Sequence, residues 1–198
     1  MQIVIASKNT GKIREIKSFF SSLQKVQWLT SGDFEKFPDI KEEGKSFAEN
    51  ARLKARAISL YTNKITLADD SGLEVDFLGG RPGVKSSRYA GADATDKENR
   101  DKLLEEMKNI RDLSERTARF ICSTVLWDPE KGSIFEARGI CEGFMGFEEK
   151  GTGGFGYDCI FNPSGYNKTM AQLTQVKKNK ISHRGKALKV VYGFIVNL

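Results

Sequence analysis

Apolar residues along this chain form short continuous runs, strict alternations and helical stripes. Ile3-Val4-Ile5-Ala6 is an unbroken apolar run, the pattern of a buried strand. After the polar loop Ser7-Lys8-Asn9-Thr10-Gly11-Lys12, residues Ile13, Ile16, Phe19 or Phe20, and Leu23 recur at helical spacing. Val26 to Leu29 predicts a second strand. Ser46-x-x-Glu49 has the form of a capping box, and Phe47, Ala51, Leu53, Ala57, Ile58 and Leu60 supply the apolar positions of the helix it opens. Leu67 and Ala68 close another strand-like run, which Leu73 and Val75 resume after Gly72. Thr95-x-x-Glu98 opens a third helix, with Leu103, Leu104, Met107 and Ile110 as its stripe. Thr117 to Trp127 alternates, with Phe120, Cys122, Thr124 and Leu126 on one face, and predicts a long strand. Asp128 to Gly132 is a turn, and Ser133 to Met145 the hairpin partner. Tyr157 to Phe161 reads as a short strand, and Ala187, Leu188, Val191, Phe194 and Ile195 mark a last helix. A long hairpin beside strand–helix alternation predicts a mixed sheet, not a purely parallel one.

Composition narrows the class. A chain of 198 residues is one domain or two lobes sharing a core. No apolar run approaches about 18 residues, so no membrane span is expected. Met1 to Ala6 lacks a basic region and a cleavage site, so no signal peptide is expected either. Cys122, Cys141 and Cys159 match no zinc spacing and read as reduced core thiols, which predicts a cytoplasmic location. A net charge of +6 and a pI of about 9.2 permit an anionic partner. They do not choose between a polynucleotide and a small phosphorylated ligand.

The chemistry concentrates where the apolar run breaks, at Asp69-Asp70-Ser71-Gly72. Neighbouring strand side chains point to opposite faces, so the two aspartates are expected to do different jobs, one facing a cleft and one facing backbone donors. A carboxylate beside Ser and Gly suits Mg²⁺, which takes hard oxygen ligands. The other reading is an Asp-rich turn capping backbone N–H groups. Ser7 to Lys12 lies between a strand and a helix N-terminus, a place that favours phosphate, with Lys12 adding a point charge. It is not a Walker A loop. An Asn9 N-cap beside a solvated lysine explains it equally well. Gly151-Thr152-Gly153-Gly154-Phe155-Gly156 matches G-x-G-x-x-G literally, but no strand precedes it and no helix is predicted after it. It reads instead as a close-approach loop presenting Phe155 and Asp158.

Seven segments then occur in a fixed order. They are Ser7 to Lys12, Phe47-x-Glu49-Asn50-Ala51-x-x-Lys54-Ala55, Ala68-Asp69-Asp70-Ser71-Gly72-Leu73, Leu78-Gly79-Gly80-Arg81-Pro82-Gly83, Ser87-Arg88-Tyr89, Gly153-Gly154-Phe155-Gly156-Tyr157-Asp158, and Ser182-His183-Arg184-Gly185-Lys186-Ala187-Leu188. With them the chain closely resembles, over nearly its full length, the non-canonical purine nucleoside triphosphate pyrophosphatases (inosine triphosphate pyrophosphatases). The resemblance implies a mixed α/β fold for residues 1–198, an elongated central sheet flanked by helices, with an active-site cleft between two lobes. It implies Mg²⁺-dependent hydrolysis of ITP, dITP and XTP to monophosphate and pyrophosphate, in a homodimer. It places Ser7, Lys8, Asn9, Thr10, Gly11, Lys12 and Lys54 around the phosphates. It makes Asp70 the catalytic and metal-associated acid, with Ser71 in substrate contact. Phe155, Gly156, Tyr157, Asp158, Lys178, His183 and Arg184 would hold the nucleoside. A further metal ligand comes from the loop Lys41-Glu42-Glu43-Gly44, where Glu42 is favoured over Glu43. The competing class is a basic protein that stacks exposed bases of a nucleic acid. It explains the pI and Phe155 but not the paired aspartates, and such proteins use several stacking aromatics where this chain offers one. No stable nucleic-acid complex is therefore expected.

Overall fold

The computed structural model describes residues 1–198. The strands are β1 (Gln2–Ile5), β2 (Gln27–Leu29), β3 (Ile65–Val75), β4 (Thr117–Asp128), β5 (Gly132–Met145) and β6 (Phe161–Pro163). The helices are α1 (Thr10–Phe19), α2 (Phe47–Thr62), α3 (Asp96–Glu106), α4 (Gln175–Ile181) and α5 (His183–Val196). The strands form one sheet in the order β2-β1-β3-β4-β5-β6. β1 is parallel to β2 and β3, and β5 is antiparallel to β6, so the sheet is mixed as the hairpin pattern predicts. No helix is long and apolar enough to cross a membrane.

The chain divides into two compact units. Unit 1 comprises Met1–Asp70, Cys122–Gly139 and Arg184–Leu198; unit 2 comprises Ser71–Ile121 and Ile140–His183. β3, β4 and β5 each run from one unit into the other.

In unit 1 the period of two along each strand sorts the core into two faces. Ile3, Ile5, Leu67 and Leu126 pack with Ile16 and Phe20 from the α1 region and with Leu188, Val191 and Ile195 of α5. Val4, Ala6, Ala68 and Val125 pack with Ala51, Ala55 and Ile58 of α2. In unit 2, Leu73, Val75, Phe120, Cys141, Met145 and Phe161 gather around Leu103 of α3 and Met107 at its end. Arg116, fully buried, donates to the carbonyls of Met107, Ile110, Met145 and Gly146 at 2.7–3.0 Å. A helix end leaves carbonyls without intrahelical partners, and a guanidinium supplies the donors and the favourable charge there.

Three sequence expectations change. β3 is one continuous strand of 11 residues through Asp69-Asp70-Ser71-Gly72, with no turn. Its carboxylates are met by distant side chains, so they do not need a local turn. Tyr157 to Ile160 is a chain of turns, with Asp158 N–H on the Phe155 carbonyl and Ile160 N–H on that of Tyr157; only Phe161–Pro163 joins β5. The α2 capping box is half made. Ser46 Oγ accepts the Glu49 N–H, but the Glu49 carboxylate takes the N–H of Lys45.

Candidate active site

The two adjacent aspartates inherit the two faces of β3. Asp69 lies on the Leu67 face with α1 and α5, and Asp70 on the Ala68 face with α2. Asp69 Oδ2 accepts from Arg184 Nε at 3.1 Å and Nη2 at 3.0 Å, and Lys12 Nζ stands 3.4 Å away. Arg184 Nη1 also donates to Glu15 of α1. Asp69 and Arg184 are 1% and 2% exposed. Burial alone would raise the Asp69 pKa, but Lys12, Arg184 and Lys54 hold it well below the usual carboxylate range. Burial likewise opposes the charge on Arg184, and Asp69 and Glu15 overcome it. Asp69 is thus met by the cationic side chains of Arg184 and Lys12 and, at 3.8 Å, by the Cys122 thiol.

Asp70 has a different setting. Its Oδ2 accepts from Asn50 Nδ2 at 3.0 Å, and its Oδ1 lies 3.4 Å from Lys54 Nζ. The same ammonium donates to Glu42 Oε1 at 2.6 Å. Asn50 Oδ1 accepts the Gly44 N–H at 2.7 Å, so one carboxamide ties the acidic loop to the aspartate. A Cβ at Gly44 would fall 2.6 Å from that oxygen, which is why the loop carries glycine there. Burial pushes the Asp70 carboxyl above its ordinary pKa, against the pull of Lys54 and Lys12. For Lys54, burial lowers the pKa but Asp70 and Glu42 raise it further, so the ammonium stays charged. Glu43 is exposed and Glu42 half-buried.

The first loop folds as an N-cap. Ser7 Oγ accepts the Asn9 N–H, and Asn9 Oδ1 accepts that of Lys12. Thr10 and the buried Gly11 begin α1. Lys12 carries its ammonium toward Asp69, whereas Lys8 pairs with the exposed Asp39 at 3.2 Å.

The residues that the resemblance gives to the nucleoside, other than Arg184, belong to unit 2. Asp158 Oδ2 accepts the Phe155 N–H at 2.9 Å and the Lys178 ammonium at 2.6 Å, and that ammonium lies 5.1 Å from the Phe155 ring centroid. Gly154 has φ +77°, and a Cβ there would stand 2.0 Å from Asp158 Oδ2. The Gly156 N–H donates to Asp96, its carbonyl accepts from Arg100, and Tyr157 donates its hydroxyl to the Ser86 carbonyl. The His183 ring is buried and stacks on Phe120 at 4.7 Å. Ser71, half-buried, follows Asp70 on β3.

Lys54, Glu42 and Asp70 are therefore brought together on one face of β3 in unit 1, with Lys12 and Arg184 held beside Asp69 on the other. Sequence reasoning missed Asn50 and Glu15, which position this centre, and Asp96 and Arg100, which hold the Phe155 loop. The signal for Asn50 was present. It falls on the buried stripe of Phe47, Ala51 and Lys54 on α2, and a polar residue there needs a buried partner.

Comparisons with known proteins identify the family. The model of the Ham1 family matches residues 3–194. A dITP/XTP pyrophosphatase of Oceanobacillus iheyensis is 47% identical over 188 residues, 94% of each chain. Among solved structures, a HAM1 protein from Coxiella burnetii superposes with a TM-score of 0.88 at 38% identity, covering all of both chains. The Ham1 protein of Staphylococcus aureus gives 0.86 at 38% identity, covering 100% of this chain and 99% of that one. The resemblance read from the seven motifs is borne out: this chain belongs to the Ham1 family.

Proposed function

We propose that the protein hydrolyses ITP, dITP and XTP to the nucleoside monophosphate and pyrophosphate, removing such nucleotides from the pool. Family membership and the relatives' activity support the reaction. Within this chain the observation that carries it is the convergence of Glu42 and Asp70 on one ammonium, with Lys12 on the other side of the same strand.

That pair of carboxylates fits a magnesium ion. Both present hard oxygen donors that one nitrogen reaches together, and Asn50 fixes the angle of Asp70. When bound, Mg²⁺ would neutralise phosphate charge and polarise the bond to be cleaved. The chain's own residues do the rest. Lys12, Lys54 and the first N–H groups of α1 hold the polyphosphate. Asp70 takes a proton from the attacking water, a role worth roughly 10²–10⁴-fold. Phe155 offers a face to the purine, and Lys178 and His183 offer donors to the oxygen at C6. Adenine has an amino group there and leaves those donors unpaired, a loss that discriminates by about 10⁴–10⁵ in sites built this way. The three free cysteines support a cytoplasmic setting, and the family resemblance supports a homodimer without a stable nucleic-acid complex.

The test is a nucleotide panel. Pyrophosphate release from ITP, dITP, XTP, GTP and ATP is measured with and without Mg²⁺. Preference for the first three, with Mg²⁺ required and pyrophosphate as product, supports the reading. Equal turnover of ATP and GTP, or release of orthophosphate, contradicts it.

A further inference from the structure

The ammonium of Lys54 stands at the point where the two proposed metal ligands meet. It donates to Glu42 Oε1 at 2.6 Å and lies 3.4 Å from Asp70 Oδ1. The lysine and aspartate side chains are 11% and 6% exposed. Asn50 and Lys54 are one helical turn apart on α2, so they approach Asp70 together. The carboxamide takes Oδ2 and the ammonium faces Oδ1. Without a cation, two carboxylates this close would repel each other in a poorly solvated place. The fold therefore supplies its own cation. Asp69 cannot substitute for Asp70 in this, because its charge is already met by Arg184 and Lys12 on the opposite face of β3.

We propose that Lys54 is an internal counter-ion that keeps Glu42 and Asp70 together in the nucleotide-free protein, and that a divalent cation gains these carboxylates only when the ammonium leaves them for the triphosphate. This deepens the hydrolase reading and rests on it for the identity of the polyphosphate ligand. A dication and the ammonium cannot share the same carboxylate oxygens without strong like-charge repulsion. Lysine suits the exchange because its charge rides on a flexible four-carbon stem, and β- and γ-phosphates offer it acceptors of the same sign and hardness. The device couples the two ligands. The protein alone holds metal weakly, and nucleotide binding opens the metal site.

The experiment is Mn²⁺ binding to the full chain without nucleotide, followed by the electron-paramagnetic signal of free Mn²⁺. Lys54→Met and Lys54→Gln are each compared with wild type, with circular dichroism to verify folding. Removing the ammonium should tighten Mn²⁺ binding at least roughly tenfold, since the repulsion between like charges a few ångströms apart is lost. Adding Asp70→Asn to Lys54→Met should abolish the gain. Lys12→Met removes the same charge from the other face of β3 and should change Mn²⁺ affinity much less. If both folded Lys54 variants bind Mn²⁺ no tighter than wild type, or if Lys12→Met gains as much, the proposal is overturned. Turnover of the wild type reports separately. Tighter Mn²⁺ binding with no ITP hydrolysis would keep the counter-ion and sink the hydrolase reading. Hydrolysis without any gain in Mn²⁺ affinity would do the reverse.

Discussion

Arg184 donates from both Nε and Nη2 to a single oxygen of Asp69, at 3.1 and 3.0 Å, across 115 residues of sequence. The same guanidinium reaches Glu15, so the first turn of α5 is tied to β3 and to α1 in one buried network. This places the residue that the motif resemblance gives to the nucleoside among the carboxylates of unit 1.

Arg184→Ala should therefore act on stability first. It leaves Asp69 and Glu15 buried with less compensation, a loss of about 3–5 kcal/mol. The kcat/KM values for ITP, XTP, GTP and ATP should fall together. A selective narrowing of the ITP-to-GTP ratio, in a variant that melts like wild type, would instead put the guanidinium against the base.

The helices and the long hairpin were legible because their cores follow simple periods. Phe47, Ala51 and Ile58 are buried along α2 as predicted, whereas the predicted Leu53 and Leu60 are exposed and Ala55 is buried; the alternating faces read for β4 are both buried. The Asp-Asp-Ser-Gly stretch misled the strand boundaries because its residues are the ones that favour turns. In β3 these carboxylates are met by Lys12, Lys54 and Arg184, and long-range ion pairs leave no local pattern in sequence. Tyr157 to Phe161 misled in the opposite sense. Tyr157, Ile160 and Phe161 are buried, but Gly154 and Gly156 turn the chain, at φ +77° and +60°, before a strand can begin. The candidate site was legible as a set of motifs. Asn50 and Glu15 were not assigned roles, because their partners lie on other elements.

Gly154→Ala tests the Phe155 loop. A Cβ at 2.0 Å from Asp158 Oδ2, on a backbone at φ +77°, must displace that carboxylate from Lys178 and from the Phe155 N–H. Strain of this kind costs about 1–3 kcal/mol. The expected result is a KM for ITP raised by roughly tenfold with kcat less affected. An unchanged KM with a lowered kcat would mean that the loop does not bind substrate.

A pH effect follows from Tyr89. Its hydroxyl donates to Glu106 at 2.6 Å and accepts from Arg81. Burial, and then Glu106, push its pKa from 10.0 up to about 12. A pKa raised on folding stabilises the protein below the unfolded value and loses that contribution as pH rises through the folded one. The Tyr89 contribution should thus be complete below pH 10 and fade toward about 12. Denaturant titrations of wild type and Tyr89→Phe should differ by a constant amount below this window and converge within it. A constant difference throughout would remove the phenol from the account.

The division of labour between neighbouring aspartates is the central claim, and ITP turnover by folded Asp70→Asn tests it most directly. An amide is a poor base and a poor ligand for Mg²⁺, so kcat/KM should drop by at least roughly 10²-fold. The melting temperature should stay within a few degrees of wild type, whereas Asp69→Asn, which unpairs the buried Arg184, should lower it by roughly 10 °C. Turnover that survives in Asp70→Asn, or a melting temperature lowered as far as that of Asp69→Asn, would contradict the account.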